Sequence, residues 1–219
     1  MPRKALILSG GWEGHQPATV SQLFKDLLQQ DGFQVDLSTS LDSLADEKYL
    51  HSLSLLIPNW TMGHIEPHQL TPLLSAVESG LGLAGCHGGM CDAFRDSPDW
   101  QFLAGGQWVA HPGNDRVTYT VHITDPTHPI TTAIDDFTVT TEQYYMHIDP
   151  AIKILATTRF PTAPGPHTPN GPVDMPVLWT KFYGKGRIFY LSLGHTPELL
   201  QQEPIPTLLS RGFLWSSRT

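Results

Sequence analysis

Cysteine is scarce in this sequence, which contains only Cys86 and Cys91 among 219 residues. No apolar stretch approaches the roughly 20 residues that a helix needs to cross a bilayer. The first residues lack the charged start, apolar centre and cleavage site of a secretory signal. Together these absences predict a soluble protein of the reducing cytoplasm that needs no disulfide framework and has no membrane partner.

Runs of basic residues are also missing. Lys and Arg number 13 against 21 Asp and Glu, which gives a formal net charge of −8. Because nucleic acids and anionic membranes are bound by clustered cations, this balance excludes both as principal partners. A small neutral or cationic ligand is compatible with the charge, and so is a homo-oligomer.

Histidine, by contrast, is frequent. The chain has 11 His residues, several of them beside Gly or Pro where a predicted element ends. Such positions favour functional sites over cores. Hydrophobic residues make up 40% of the chain, which is enough for the core of one ordinary domain. We therefore expect residues 1–219 to form a single domain.

Strand and helix patterns alternate over the first part of the chain. Buried strands are predicted at 5–8 and 53–60, an alternating strand at 33–39, a further strand at 81–85, and amphipathic helices at 18–30 and 67–79. This alternation predicts an α/β fold, with a parallel sheet covered by helices on both faces.

The second half is rich in predicted strands. They are expected at 116–124, 137–145, 152–158, 177–183 and 187–193, with a hairpin turn at 183–187. Residues 161–176 are dense in Pro and Gly and predict a surface loop, and a final helix is expected at 204–215.

The stretch GLAGCHGGM, residues 82–90, has the spacing of a nucleophile elbow with His87 at its apex. Such an elbow holds the apex side chain on a sharp turn between a strand and a helix. Cys86 comes one residue earlier, so its side chain should point into the packing of the sheet. We expect the imidazole to carry chemistry; the alternatives are a plain strand-to-helix turn and, least favoured, a hydrolase using Cys86 or Cys91.

Other polar and aromatic residues follow strands that end at the same edge. Trp12 and His15 come after the first strand, and His195 comes after the last. Because ligands bind at the carboxyl ends of parallel strands, these residues and His87 could converge on one pocket. In the second half, His111 lies between an aromatic cluster and a turn.

Glu142 is predicted to lie within a strand, with Tyr144 two residues away on the same face. A carboxylate in a strand is typical of an ion pair, a metal ligand or a general acid or base. An edge strand that faces water is the alternative.

Five motifs in order, spread over nearly the whole chain, carry a family resemblance: GGWEGH, GLAGCHGG, GGQWVAHPG, ITDPTHPIT followed by FTVTTEQYY, and PVLWTKFYGKGRIFYLSLGH. In these motifs the sequence resembles the trehalose-utilisation (ThuA-like) family. The resemblance implies the fold of class I glutamine amidotransferases, a flavodoxin-like, mostly parallel sheet with helices on both faces.

The resemblance also bears on chemistry. In amidotransferases the elbow apex is a nucleophilic Cys activated by a late His. Here the late His195 is present but the apex is His87, and an imidazole does not form the stable thioester that glutamine hydrolysis needs. Glutaminase activity is therefore not expected. Where many relatives have Asp-Glu-x-Tyr, this chain has Thr141, Glu142, Gln143 and Tyr144, so the Asp is absent.

The resemblance implies a role in carbohydrate metabolism, on trehalose, another disaccharide or a 3-keto-glycoside made by a sugar dehydrogenase. The first hypothesis is a sugar-active hydrolase, lyase or isomerase, with His87 or Glu142 as base and His195 or Tyr144 as acid. The second is a non-catalytic sugar-binding or regulatory partner of such a dehydrogenase.

Two further sets of residues belong to the first hypothesis. The residues expected to bind the sugar are Trp12, His15, Trp108, His111 and Trp179. A divalent ion such as zinc would polarise a sugar carbonyl, and the residues of the right ligand type to hold it are His87, His111, Glu142 and His195.

Overall fold

The computed structural model describes residues 3–218. The strands are β1 (Lys4–Gly11), β2 (Gln34–Ser38), β3 (Leu55–Thr61), β4 (Gly82–Cys86), β5 (Gly106–Ala110), β6 (Val117–Ile123), β7 (Phe137–Thr141), β8 (Tyr145–Ile148), β9 (Lys153–Phe160), β10 (Val173–Tyr183) and β11 (Gly186–Leu191). The α-helices are α1 (Pro17–Gln30), α2 (Glu47–Ser52), α3 (Pro67–Glu78), α4 (His87–Cys91), α5 (Pro98–Ala104), α6 (Pro197–Leu200) and α7 (Ile205–Ser216). Within residues 3–218, none of these helices combines the length and apolarity needed to span a bilayer.

Nine strands form one sheet in the order β2-β1-β3-β4-β11-β10-β9-β6-β7. The pairings from β2 to β11 are parallel, and those from β11 to β7 are antiparallel. The parallel part has the strand order of flavodoxin-like sheets, in which ligands bind where the order reverses. The predicted α/β, flavodoxin-like fold with a strand-rich second half is confirmed.

Both faces of this sheet are covered. This explains why residues 5–8 of β1 are all apolar. Ala5 and Ile7 face a core that contains Phe24 of α1 and Phe213 of α7. The alternate residues Leu6 and Leu8 face the opposite core, to which α3 and α5 contribute. A strand buried on both faces needs apolar residues at every position, which is the pattern seen in the sequence.

The remaining strands, β5 and β8, form a separate two-stranded sheet. A buried ion pair between Lys181 on β10 and Asp149 after β8 joins this small sheet to the large one, with 2.6 Å between Nζ and Oδ2. The Lys181 ammonium lowers the pKa of the Asp149 carboxyl. Elsewhere, the turn between β10 and β11 is the predicted hairpin, and residues 161–172 form a loop between β9 and β10.

The prediction of one strand over residues 137–145 is wrong. Strand β7 ends at Thr141, and the chain crosses to the small sheet before β8 begins at Tyr145. Glu142 and Tyr144 therefore lie on a connection between two sheets. The physical reason is that side chains, not a strand partner, hold this connection: the Tyr119 hydroxyl donates to the Glu142 carbonyl at 2.9 Å, and Gln143 is buried.

Candidate functional site

Four segments that are distant in sequence meet at one edge of the large sheet. His15 follows β1, His87 follows β4, His195 follows β11, and Glu142 lies on the connection between the two sheets. One nitrogen or oxygen atom of each lies within 4.8 Å of the corresponding atoms of the others. The carboxyl ends of three parallel strands thus bring together the histidines that the sequence places there.

His87 is held at the elbow by both its backbone and its ring. Its φ of 49° lies in the left-handed region, a conformation that costs a non-glycine residue about 1–3 kcal/mol. The Tyr190 hydroxyl donates to the His87 carbonyl at 3.1 Å. The ring Nδ1 is 2.9 Å from the carbonyl oxygen of Ser192, which can only accept, so Nδ1 carries a proton.

The other ring nitrogen of His87, Nε2, faces two functional groups. It lies 2.8 Å from the Tyr144 hydroxyl and 3.2 Å from Oε2 of Glu142. The His87 and Tyr144 rings are stacked, with centroids 4.3 Å apart. Because Nδ1 is committed to Ser192, Nε2 is the atom through which His87 acts.

Glu142 lies between three imidazoles. Its Oε2 is 3.2 Å from His87 Nε2 and 3.5 Å from His195 Nδ1, while its Oε1 is 3.6 Å from His111 Nε2. Burial acts to raise the pKa of this carboxyl, but hydrogen bonding and charge from His87, with charge from His195 and His111, outweigh it and lower the pKa. Glu142 is therefore ionised at neutral pH.

Tyr144 is the complementary neutral group. Only 4% of it is exposed, and burial, followed by the negative charge of Glu142, raises its pKa well above the ordinary value. The phenol thus keeps its proton beside an ionised carboxylate. An ionised acceptor and a neutral donor next to each other are the arrangement that general acid/base chemistry requires.

His15 is also kept neutral. Burial, reinforced by the charges of His87 and His195, lowers its pKa to about 3. Its Nδ1 is 2.8 Å from the Thr61 hydroxyl, so Nε2 is the ring nitrogen that Thr61 does not engage. Gly88 makes this packing feasible, because a Cβ at that position would lie 2.7 Å from Cε1 of His15.

His195 completes the cluster. Burial lowers its pKa, against the opposing charge of Glu142, so the ring is neutral at pH 7. Its Nδ1 is buried and forms no hydrogen bond within residues 3–218. The preceding Gly194 has a φ of 140°, and a Cβ there would lie 2.8 Å from Cys86 Sγ, so glycine permits the chain to pass the elbow.

The electrostatics of His15, His87, Glu142 and His195 fit a bound cation. Metal ligands must be deprotonated, and here burial lowers the pKa values of His15 and His195, which lie beside the ionised carboxylate of Glu142. Nitrogen and carboxylate ligands are those of zinc sites. The cluster could therefore hold a metal ion. It includes His15, which the sequence assigns to sugar binding, and does not include His111.

Two of the aromatic residues predicted to bind sugar lie at this site. Trp12 is 48% exposed and meets the edge of His15 at a centroid distance of 4.8 Å. Trp108 is half-buried, and its ring lies 5.4 Å from that of His111. The guanidinium of Arg95 lies 4.7 Å above the Trp108 ring. Trp12 thus lies beside His15, and Trp108 lies beside His111 and Tyr144, with 6.2 Å between the ring centroids of Trp108 and Tyr144.

Trp179 does not belong to the site, and the prediction that it binds sugar is wrong. Its side chain is fully buried, and its Nε1 donates to the Ala104 carbonyl at 3.2 Å. Strand β10 is covered on both faces at this point, so alternate residues on either side are core. The ring packs against Tyr190 and presents no face to a ligand.

Neither cysteine can act as a nucleophile at neutral pH. Both are free and buried. Burial raises the pKa of Cys86 to about 12 and that of Cys91 well above its ordinary value. Since the thiolate is the reactive form of cysteine, the thiols serve as packing groups.

Sequence reasoning missed several residues that hold the site. Thr61 hydrogen-bonds His15, and the carbonyl of Ser192 fixes His87. Asp92, which is 4% exposed, accepts two hydrogen bonds from Arg95 at 2.5 and 2.9 Å and so seats the guanidinium over Trp108. A signal existed for Thr61 alone, because it ends β3 at the same edge as His15 and His87.

Comparisons with known proteins agree with this geometry. The family model described as "ThuA: Trehalose utilisation" matches residues 4–216. A crystal structure of a ThuA-like protein from Parabacteroides merdae superposes with a TM-score of 0.78 at 19% identity, covering 99% of this chain and 90% of that one. A cytoplasmic protein of Salmonella typhimurium LT2 superposes with a TM-score of 0.70 at 14% identity, covering 98% and 100%.

The same fold also occurs inside larger proteins. A β-galactosidase from Rahnella sp. R3 matches with a TM-score of 0.62 at 14% identity, and the match covers 99% of this chain but 30% of that one. No curated protein matches the sequence significantly. The match over residues 4–216 shows that the chain belongs to the ThuA family, which is described by trehalose utilisation.

Proposed function

We propose that this protein is an enzyme of carbohydrate metabolism that performs acid/base chemistry on an oxidised sugar, a 3-keto-glycoside, and has no glutaminase activity. One observation carries the proposal. The ionised Glu142 and the neutral phenol of Tyr144 both lie against Nε2 of His87 at the strained elbow.

A 3-keto group acidifies the hydrogen on the neighbouring carbon, C2. In the proposed step, Glu142 takes this proton through Oε1, and the electron pair forms a double bond between C2 and C1. The bond from C1 to the glycosidic oxygen breaks, and that oxygen takes the proton of the Tyr144 hydroxyl. The products are an unsaturated keto sugar and a free alcohol or second sugar.

The site also provides a route for the abstracted proton. Oε1 of Glu142 is 3.6 Å from Nε2 of His111, whose side chain is 29% exposed. His111 can therefore exchange a proton with Glu142 through Nε2. Trp12 and Trp108 offer aromatic surfaces on which a sugar ring can pack.

The proposal includes a divalent ion, with zinc as the candidate, held by His15, His87, Glu142 and His195. Of the ligands suggested by the sequence, His111 instead takes the proton-transfer role. When bound, the ion supplies a Lewis acid that polarises the sugar carbonyl. The buried Nδ1 of His195, which lacks a hydrogen-bond partner within residues 3–218, supports this assignment.

We also propose a cytoplasmic location and a functional partner. The two free, buried cysteines are in keeping with a reducing cytoplasm, and two structural neighbours are named as cytoplasmic proteins. Since the substrate must be oxidised first, a sugar dehydrogenase is the proposed functional partner.

The test is to incubate the purified protein with a panel of glycosides and their 3-keto forms in D₂O, with and without a chelator. We expect conversion of 3-keto forms alone, deuterium exchange at C2 of the substrate that is not yet converted, loss of activity on chelation and recovery with Zn²⁺. Glu142→Gln and Tyr144→Phe should each lower kcat at least 100-fold, in the range typical of general acid/base residues.

His68→Gln is the matched control, because His68 is an exposed histidine remote from the cluster, with 63% of its side chain accessible. Its activity should equal that of the wild type. A wild-type protein that binds 3-keto-glycosides tightly but neither converts them nor exchanges C2 would replace this proposal with the non-catalytic binding partner.

A further inference from the structure

The connection that carries Glu142 and Tyr144 is anchored by a buried amide between them. Gln143 is 1% exposed, and its neighbours on both sides contact His87. The Gln143 side chain instead bonds to Thr158 on β9 and to Thr162 in the loop that follows. Gln143 accordingly projects away from His87 while Glu142 and Tyr144 project toward it.

The amide of Gln143 forms its hydrogen bonds with β9 and the loop that follows. Its Nε2 donates to the Thr158 hydroxyl and to the Arg159 carbonyl, both at 3.0 Å. Its Oε1 accepts from the Thr162 backbone N–H at 2.9 Å. Removing this amide is costly, because each buried group left without its partner cannot form a replacement hydrogen bond with water.

Residues 142–144 lie outside any strand, so no ladder of backbone hydrogen bonds sets their position. On one side the connection is held by the Tyr119 hydroxyl at the Glu142 carbonyl. On the other side it is held by the three bonds of Gln143. The placement of two reactive groups against one imidazole nitrogen thus depends on a side chain that touches neither.

We propose that Gln143 is a positioning residue that sets Glu142 and Tyr144 relative to Nε2 of His87, and that its loss loosens the site more than the fold. The part of this inference that concerns metal affinity rests on the proposed function. The part that concerns the geometry around His87 does not, because that geometry exists without substrate or ion. Residues that orient metal ligands without binding the metal themselves typically change metal affinity about 10–100-fold when they are mutated.

The test compares Gln143→Met with Gln69→Met. Gln69 is a matched control because it is also a buried amide, 7% exposed, that bonds Asp42 and the Glu66 N–H at the start of α3, away from the site. Both variants should lose comparable thermal stability. We expect only Gln143→Met to weaken Zn²⁺ affinity, by about tenfold or more.

A second readout uses the metal-free protein. The ¹⁵N resonance of His87 Nε2 reports its hydrogen bond with Tyr144, and it should shift or broaden in Gln143→Met but not in Gln69→Met. If the wild type binds no Zn²⁺, the proposed metal site fails while this resonance still tests the role of Gln143. An unchanged resonance would overturn the inference, whatever the loss of stability.

Thr158→Val covers the case in which Gln143→Met does not fold. It is nearly isosteric, and Thr158 is 2% exposed, so it removes one acceptor of the Gln143 amide without opening a cavity. We expect a smaller change of the same resonance. A His87 resonance identical to that of the wild type in Thr158→Val would then count against the positioning role.

Discussion

At the scale of single residues, the elbow separates two neighbouring side chains by direction. Cys86 belongs to β4 and points into the core, whereas His87 adopts a φ of 49° and turns its ring to the site. Burial then determines reactivity: it raises the pKa of the Cys86 thiol to about 12, so almost no thiolate forms at neutral pH. The chemistry of the elbow therefore resides in imidazole.

This separation predicts that the native protein resists thiol alkylation. At pH 8, iodoacetamide should modify neither Cys86 nor Cys91 over a period in which both react fully in 6 M guanidinium, because both thiols are buried. Mass spectrometry measures the extent of modification. Cys86→Ala should retain its activity on 3-keto-glycosides; rapid labelling of native Cys86 together with loss of activity would restore the cysteine hydrolase hypothesis.

At the scale of elements, the site depends on close packing of the turn after β4 against the turn after β1. A Cβ at Gly88 would lie 2.7 Å from Cε1 and 3.0 Å from Nδ1 of His15, and 3.1 Å from the Thr61 methyl group. The helix α4 has no room to move away, because a Cβ at the next residue, Gly89, would contact the backbone of Asn59 at 3.1 Å. Glycine at these positions lets two strand ends share one site.

Gly88→Ala is therefore expected to displace His15 from Thr61. The strain should lower the free energy of unfolding by roughly 1–3 kcal/mol, and Zn²⁺ affinity should fall about tenfold or more because one ligand is misplaced. Calorimetry and competition titration measure the two effects. Gly165→Ala is the control, since its Cβ would meet only the movable end of His167 and Pro112. Wild-type affinity in Gly88→Ala would contradict the ligand role of His15.

The elements also show what a single sequence can predict about this site. Three histidines, His15, His87 and His195, each follow a strand of the parallel sheet. The common edge of such a sheet brings them together whatever conformation the loops adopt. The sequence predicts a strand at Glu142 because FTVTTEQYY consists largely of strand formers. Where β7 ends depends on tertiary bonds from Tyr119 and Gln143, which local patterns do not reveal.

The wrong prediction for Trp179 has a related cause. The predicted strand around it does not show which of its faces are covered, and in the structure β10 is covered on both. Likewise, the Ser192 carbonyl that fixes His87 is a backbone group, so no residue type at that position signals its role.

At the scale of the whole molecule, the cluster links parts of the chain that lie far apart in sequence. His15 and His87 come from the first half, and Glu142 and His195 from the second. The two halves share one sheet, in which the parallel part provides the three histidines and the antiparallel part leads to the carboxylate. An ion at the cluster would thus connect the parallel strands to the crossing between the sheets.

This linkage predicts that Zn²⁺ stabilises the folded protein. The ligands meet only when the chain is folded, so an ion at 100 times its Kd should add about 2.7 kcal/mol to the free energy of unfolding. For a chain of 219 residues, this corresponds to a rise in Tm of roughly 5–10 °C relative to the protein in EDTA. His15→Ala should abolish the rise, because one of the four ligands is lost, while His111→Ala should preserve it. Differential scanning calorimetry of the three proteins measures the effect. Equal rises in Tm in all three would place the ion elsewhere. No rise in the wild type would mean that the cluster acts by proton transfer alone.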